Sequence, residues 1–209
     1  MKILIAGATG LVGNSVLQLA LNNPQVSGVI APVRKALPSH PKLFAPVVDF
    51  ENLPENEDWW NVDAIICALG TTMKTAGTRE AFTRVDLDYP LRIAAIAKRH
   101  GVRTFVFNSA IGANASSKFF YNRIKGQAEE GLSGMKFPSL VLVRPGLIGG
   151  DRKEQRRGES FGIAVTKILH PVLPAKYHIN PAERIAEVML QACLKPSLGV
   201  QVISSEQLI

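Results

Sequence analysis

The stretch that most constrains the fold is the opening one, Lys2-Ile3-Leu4-Ile5-Ala6-Gly7-Ala8-Thr9-Gly10-Leu11-Val12-Gly13. Lys2 to Ala6 is a short apolar run that predicts a buried strand, and helical character takes over from Asn14 to Leu21. Between them stand Gly7, Gly10 and Gly13, spaced G-x-x-G-x-x-G. A strand that turns straight into a helix needs a residue without a Cβ in the turn and again where helix and strand pack. The helix start then offers unpaired N–H groups and a positive dipole end to an anion. A tight structural turn would use glycine too. Strand before, helix after, at the head of an α/β chain, the frame favours dinucleotide binding.

The remaining punctuation extends that alternation. Val26 to Val33, Ala45 to Val48, Val62 to Leu69, Thr104 to Phe107, Ser139 to Val143 and Val200 to Ile203 read as strands. Glu80 to His100, Tyr121 to about Leu132, Phe161 to Leu169 and Pro181 to Leu194 read as helices. Pro90 predicts a kink, Gly101 a C-cap, and Asn180 an N-cap with Pro181 in the first turn. The expected fold is α/β, a doubly wound, mostly parallel sheet. A length of 209 residues fits one domain spanning 1–209, or one with a small appendage.

Composition narrows the classes of function. With 46% hydrophobic and 20% charged residues, the chain reads as an ordinary globular protein. No apolar run reaches the roughly eighteen residues of a membrane span, and the chain opens directly on its first strand, so a cytoplasmic address is expected. Cys67 and Cys193 stand far apart without metal-ligand spacing and read as buried free thiols; no metal is expected. The net charge of +7 would suit anionic ligands or nucleic acid. Its densest cluster, Arg152, Lys153, Arg156 and Arg157, lacks the interleaved aromatics of a single-strand binder, so nucleic acid is the minority reading.

The chemistry-bearing residues fall at strand ends. About twenty residues past the last glycine, Arg34 and Lys35 stand where an acid would select NAD and an Arg accommodates the 2′-phosphate of NADP, so NADP(H) is favoured over NAD(H). Asp49, after the third strand, either reaches an adenine amino group or caps a turn. Ala68, Leu69, Gly70 and Thr71 end the fourth strand at the carboxyl edge, where open α/β sheets bind ligands. Ser109 ends the fifth. Tyr121 and Lys125, four apart on a helix, project from one face. A phenol works as acid and base toward a carbonyl/alcohol oxygen when its intrinsic pKa is lowered, and a neighbouring ammonium does this. A strand-end Ser hydroxyl can bind the same oxygen.

The order GATGLVG, CALGTT, FTRVDLDYP, FNSAIGA, YNRIKGQAE and VRPGLIGGDRKEQRRGE resembles the atypical, extended-type short-chain dehydrogenases/reductases, specifically their small Tat-interacting-protein (oxidoreductase-like) branch. The resemblance covers nearly the whole chain. It implies a Rossmann fold and an NADP(H)-dependent oxidoreductase in which Ser109 polarises the carbonyl and Tyr121 acts as general acid/base. Lys125 would hold the nicotinamide ribose and lower the Tyr pKa. Cofactor contacts are implied at Gly7, Thr9, Gly10, Leu11, Val12, Arg34, Asp49 and Ala68 to Gly70. Residues 146–209 would supply the substrate side, with Thr71, Arg144 and Arg152 as candidates to face an unidentified small molecule. Extended members carry Val-Asn at the head of the fourth helix where this chain has Val85-Asp86, and they add a larger C-terminal substrate domain. The rival reading is a non-catalytic, NADPH-dependent regulator with a protein partner. Homodimers through the helices around Pro90 and Tyr121 are familiar in the superfamily.

Overall fold

The computed structural model describes residues 1–149 and 179–209. Seven strands form one sheet in the order β3-β2-β1-β4-β5-β6-β9, every neighbouring pair parallel. They are β1 (Lys2–Ala6), β2 (Gly28–Ile30), β3 (Leu43–Phe44), β4 (Ala64–Cys67), β5 (Thr104–Asn108), β6 (Ser139–Val143) and β9 (Gly199–Ile203). The chain leaves β1 toward β3 on one side and returns to place β4 on the other. The order therefore reverses between β1 and β4, which opens a crevice at their carboxyl ends.

Strand periodicity distributes the core. Ile3, Ile5, Ala64, Ile66, Val106, Val141 and Val143 face one layer, against Val12, Val16 and Leu17 of α1 (Leu11–Asn22) and Ile185 and Met189 of a C-terminal helix. Leu4, Ala6, Ile65, Cys67, Phe105, Phe107, Leu140 and Leu142 face the other, with Ile93, Ile96, Ala128 and Leu132. Burial on both faces makes the central strands read as near-continuous apolar runs.

Several expected boundaries shift, each for a local reason. The second strand shrinks to Gly28–Ile30 and the third lies at Leu43–Phe44 instead of Ala45 to Val48; beyond them only an isolated Val33–Val47 bridge continues the pairing. Pro32 and Pro46 flank that bridge, and proline has no N–H for a ladder. A one-turn helix, α2 (Met73–Ala76), stands where Met73 to Thr78 reads as a polar loop, and the expected helix from Glu80 to His100 breaks into α3 (Arg79–Thr83), one π-type turn at Arg84–Asp88 and α4 (Tyr89–Arg99). Pro90 cannot donate to the carbonyl one turn back, so the chain widens ahead of it. Gly101, at φ +75°, closes α4, with the Val102 N–H donating to Ala97 O at 3.0 Å.

Two short strands were not expected. β7 (Leu147–Gly149) and β8 (Ile179–Pro181) pair in parallel as a separate ribbon. Asn180 is not an N-cap but the centre of that joint. Its Oδ1 accepts from Gly146 N at 2.7 Å and Ser205 Oγ at 2.8 Å, and its Nδ2 donates to Ser205 O at 2.9 Å. Pro181 takes the cap position of the last long helix, α6 (Ala182–Leu194), which packs on α1. Within residues 146–209, α6 and β9 thus complete the main sheet and one of its layers. The expected helix Phe161 to Leu169 lies outside the described residues. Remaining among them is α5 (Phe120–Gly134).

A Cβ on Gly13 would stand 2.0 Å from Gly7 O, a backbone atom. Gly13→Ala is therefore expected to destabilise the fold by about 3 kcal/mol, read as a lowered urea midpoint with an unchanged slope.

Candidate nucleotide and catalytic site

The β1–α1 turn is pressed against the end of β4. Gly7 has φ +87°, and a Cβ there would lie 2.7 Å from Ala68 C and O and 2.8 Å from Leu69 N. Gly7 and Gly13 are thus required by the chain's own packing. Gly10 differs. It is exposed, adopts ordinary extended angles as the cap residue of α1, and a Cβ on it would meet only Gly7 O at 3.3 Å. No side chain caps this helix and no acid lies in its first turn, which suits an anion approaching over Gly10. Thr9 is exposed and Leu11 half-buried beside it, whereas the Val12 side chain is in the core, so its backbone is what a ligand could reach. Half-buried Ala68 and Leu69 and exposed Gly70 line the other wall.

Arg34 and Lys35 are exposed beyond β2, on the same edge of the sheet. Asp49 adopts the turn-capping arrangement: Oδ1 accepts from Glu51 N and Oδ2 from Asn52 Nδ2, both at 2.9 Å. These bonds, the Glu51 amide first, hold its carboxyl below the usual range.

Across the crevice lies a buried ion pair. Lys125, on α5, is 3% exposed, and Asp86, in the π-type turn, 1%. Nζ stands 2.9 Å from Asp86 Oδ1, 3.3 Å from Asn108 O and 5.0 Å from the Phe107 ring centre. Asp86 Oδ2 accepts the Thr71 N–H at 2.8 Å, tying the π-type turn to the loop after β4. Burial alone would depress the ammonium, but the Asp86 charge, then Tyr121, reverse this and raise its pKa. Asp86 Oδ1 is taken up by the ion pair, whereas Asn108 Oδ1 is a buried acceptor without a donor. A spare acceptor on the residue whose carbonyl meets that ammonium fits a hydroxyl of a ribose. Tyr121, one turn before Lys125, is 42% exposed and meets Phe82 edge-on at 5.9 Å. Cys67 beside the pair is inert, its thiol pushed up to about 12 by burial.

The third expected catalytic residue is placed differently. Ser109 is buried and donates to Glu129 Oε1 at 2.5 Å. Arg144 donates to the same carboxylate, Nε to Oε1 at 2.9 Å and Nη2 to Oε2 at 2.5 Å. The one Ser109 proton is thus in use, leaving lone pairs suited to a hydroxyl, not a donor for a carbonyl. Arg144, expected on the substrate side, spends two of its nitrogens on Glu129. Arg152, Lys153, Arg156 and Arg157 lie outside the described residues. The sequence reading missed Glu129, although it stands four residues after Lys125, on the helical face that Tyr121 and Lys125 already mark.

Residues 7–157 match a family described as NAD(P)H-binding. The protein FMP52-1, mitochondrial, of Scheffersomyces stipitis is 32% identical over 204 residues, covering 92% of this chain and 88% of that one. Protein HTATIP2 of Rattus norvegicus is 33% identical over 203 residues, covering 95% and 83%. Among solved structures, the Bordetella bronchiseptica enzyme WbmH in complex with NAD+ superimposes with a TM-score of 0.72 at 16% identity, over 98% of this chain and 75% of that one. The oxidoreductase ylbE from Lactococcus lactis gives 0.69 at 19%, over 97% and 89%. At these identities the structures show a shared Rossmann fold. The cytoplasmic address expected from the sequence is overturned: fungal relatives, including those of Meyerozyma guilliermondii and Candida albicans, are named mitochondrial. That expectation rested on an absence, and an address is carried by short signals that fold physics does not reveal.

Asp86→Ala would leave the ammonium buried and unpaired and is expected to cost about 3–5 kcal/mol; adding Lys125→Met should restore part of the loss, measured by urea unfolding. Because the folded pKa of Lys125 is raised, its stabilisation is present below the ordinary 10.5 and lost as pH rises through the higher folded value. Stability should therefore fall above that pH more steeply in the native chain than in the double variant.

Proposed function

We propose that this chain, which belongs to the NAD(P)H-binding family, is an NADP(H)-dependent oxidoreductase of the short-chain dehydrogenase/reductase type, acting on a carbonyl/alcohol pair of a small molecule. The observation that carries this reading is the buried Lys125 at the carboxyl edge of the sheet, one helical turn from exposed Tyr121 and across the crevice from the Gly7–Gly13 turn. In this reading the turn and the start of α1 hold the pyrophosphate through backbone N–H groups. Arg34 and Lys35 meet the 2′-phosphate, since no carboxylate stands there to choose the free ribose. Lys125, with Asn108 Oδ1, holds the nicotinamide ribose, and Asp86 holds Lys125. When bound, the nicotinamide supplies or accepts the hydride. Tyr121 gives the proton to the carbonyl oxygen, or takes it from the alcohol, at a phenol open to substrate. Ser109 offers lone pairs to a hydroxyl, and Glu129 fixes its orientation.

The rival reading is a nucleotide-responsive protein that binds a partner without turnover. The commitment of the Ser109 proton to Glu129 favours it, and one comparison separates the two. On a carbonyl panel with NADPH, Tyr121→Phe is expected to lower kcat by about 10²–10⁴-fold at unchanged NADPH affinity; equal or absent turnover in both proteins would end the oxidoreductase reading.

Calorimetry checks the cofactor half. Arg34→Ala should weaken NADPH about tenfold or more and leave NADH unchanged, while Gly10→Asp should remove both.

A further inference from the structure

At the amino edge of the sheet, one five-residue strand or roughly 17 Å from the nucleotide crevice, lies a cavity of about 410 Å³, a size usual for small-molecule sites. It exists because of where α6 stops. That helix covers the face of β4, β5 and β6 that carries Ala64, Val106 and Val141, and it ends at Leu194. The chain then crosses by Pro196 to Leu198 and re-enters the sheet at Gly199, whose N–H donates to Pro138 O at 2.8 Å. Cys193 and Leu194 on one side and this crossing on the other wall the cavity over the strand starts.

Strand alternation sets what faces it. Thr104 shares the face of Val106 and Ser139 that of Val141, and the two are partners in the β5–β6 register. Two hydroxyl residues thus stand side by side where an apolar core would otherwise continue. Ser139 is 2% exposed, and its Oγ has no hydrogen-bond partner. An unpaired buried hydroxyl costs stability that an alanine would not, so packing does not account for it. Charge gathers at the rim. The Met1 ammonium donates to Gln25 O and Asp63 Oδ2 accepts the Lys2 N–H, both at 2.7 Å. Arg103 is exposed and meets no carboxylate among the described residues. The other walls are apolar, with Val62 buried and Leu198 83% exposed.

We infer that this cavity is a second ligand site, which takes a short organic acid with an apolar body and an oxo or hydroxy group. Arg103 holds the carboxylate, Ser139 with Thr104 meets the oxo or hydroxy oxygen, and the apolar walls cover the carbon chain. The site stands apart from the nucleotide reading, at the opposite edge of the sheet. A guanidinium selects a carboxylate by charge and by its forked donors. A serine hydroxyl both gives and accepts a hydrogen bond, so it suits a ketone or an alcohol. The carbonyl end of α6 repels negative charge from the interior, which puts the carboxylate at the rim and the neutral oxygen inside. Cys193 serves as wall, its thiol pushed up by burial and so unreactive.

The test follows the backbone amide resonances of the full chain by NMR as α-ketoisocaproate is added without nucleotide. Saturable shifts at Arg103, Thr104, Ser139 and Leu198 are expected, with a Kd of about 1 mM or tighter. Isocaproate, which lacks the oxo oxygen, should bind about threefold to tenfold more weakly, and uncharged isocaproamide about tenfold more weakly or worse. Arg103→Ala should weaken the keto acid about tenfold and erase the preference for acid over amide. Ser139→Ala should erase the preference for the oxo group and leave the urea midpoint unchanged or raised, since it removes an unpaired hydroxyl. Shifts that do not saturate, an amide bound as tightly as the acids, or affinities unchanged in both variants overturn the inference. So does displacement of the acid by saturating NADPH, which would put it in the nucleotide crevice. A chain that binds the acid but no nucleotide keeps this site and loses the oxidoreductase reading, so the two failures are distinct.

Discussion

Everything at the ligand edge depends on one backbone contact, the seating of the β1–α1 turn against the end of β4. Gly7 has no Cβ to hold it away from Ala68 and Leu69, and Gly13 lets α1 descend onto Gly7 itself. That fixes where the uncapped start of α1 points and how wide the crevice between β1 and β4 is. Of the three, the middle glycine is the one the chain's own packing needs least.

The opposite wall is made by charge. A buried lysine is tolerated because Asp86 lies against it, and Asp86 is itself fixed by the Thr71 amide. Three segments remote in sequence, the loop after β4, the π-type turn and α5, are thereby locked into one unit. Such a pair is poor as a source of net stability, since desolvation offsets most of its attraction. Its value is positional: it holds a cation at a set depth one helical turn from an exposed phenol. The π-type turn serves the same end, because Pro90 disrupts the helix just beyond the point where Asp86 turns inward.

A second charged set, Ser109, Glu129 and Arg144, joins the ends of β5 and β6 to α5. Its carboxylate is satisfied on both oxygens, so the set is rigid, and the serine hydroxyl is turned to an internal acceptor. In the proposed reaction, proton transfer therefore falls to Tyr121, while Ser109 orients. The family is one that binds a nicotinamide nucleotide, and in the proposed reading the crevice, the spare Asn108 acceptor and the exposed cations past β2 each meet one part of that molecule.

The sequence by itself determined the sheet, its parallel winding and the glycine turn, because apolar period and glycine spacing are local signals that packing here reinforces. It also placed Tyr121 and Lys125 on one helical face, since a four-residue spacing needs no tertiary information. Arg34 was legible as an exposed cation past β2. What it could not decide were the partners. Asp86, Glu129 and Asn180 look in sequence like a helix-surface acid, another, and a helix cap, yet each is buried and joins distant segments. Proline breaks trimmed the second and third strands and split the helix at Pro90, where the run of apolar residues alone suggested continuity. Only tertiary structure decided these, because a polar side chain takes its role from the donors and acceptors that long-range packing brings against it.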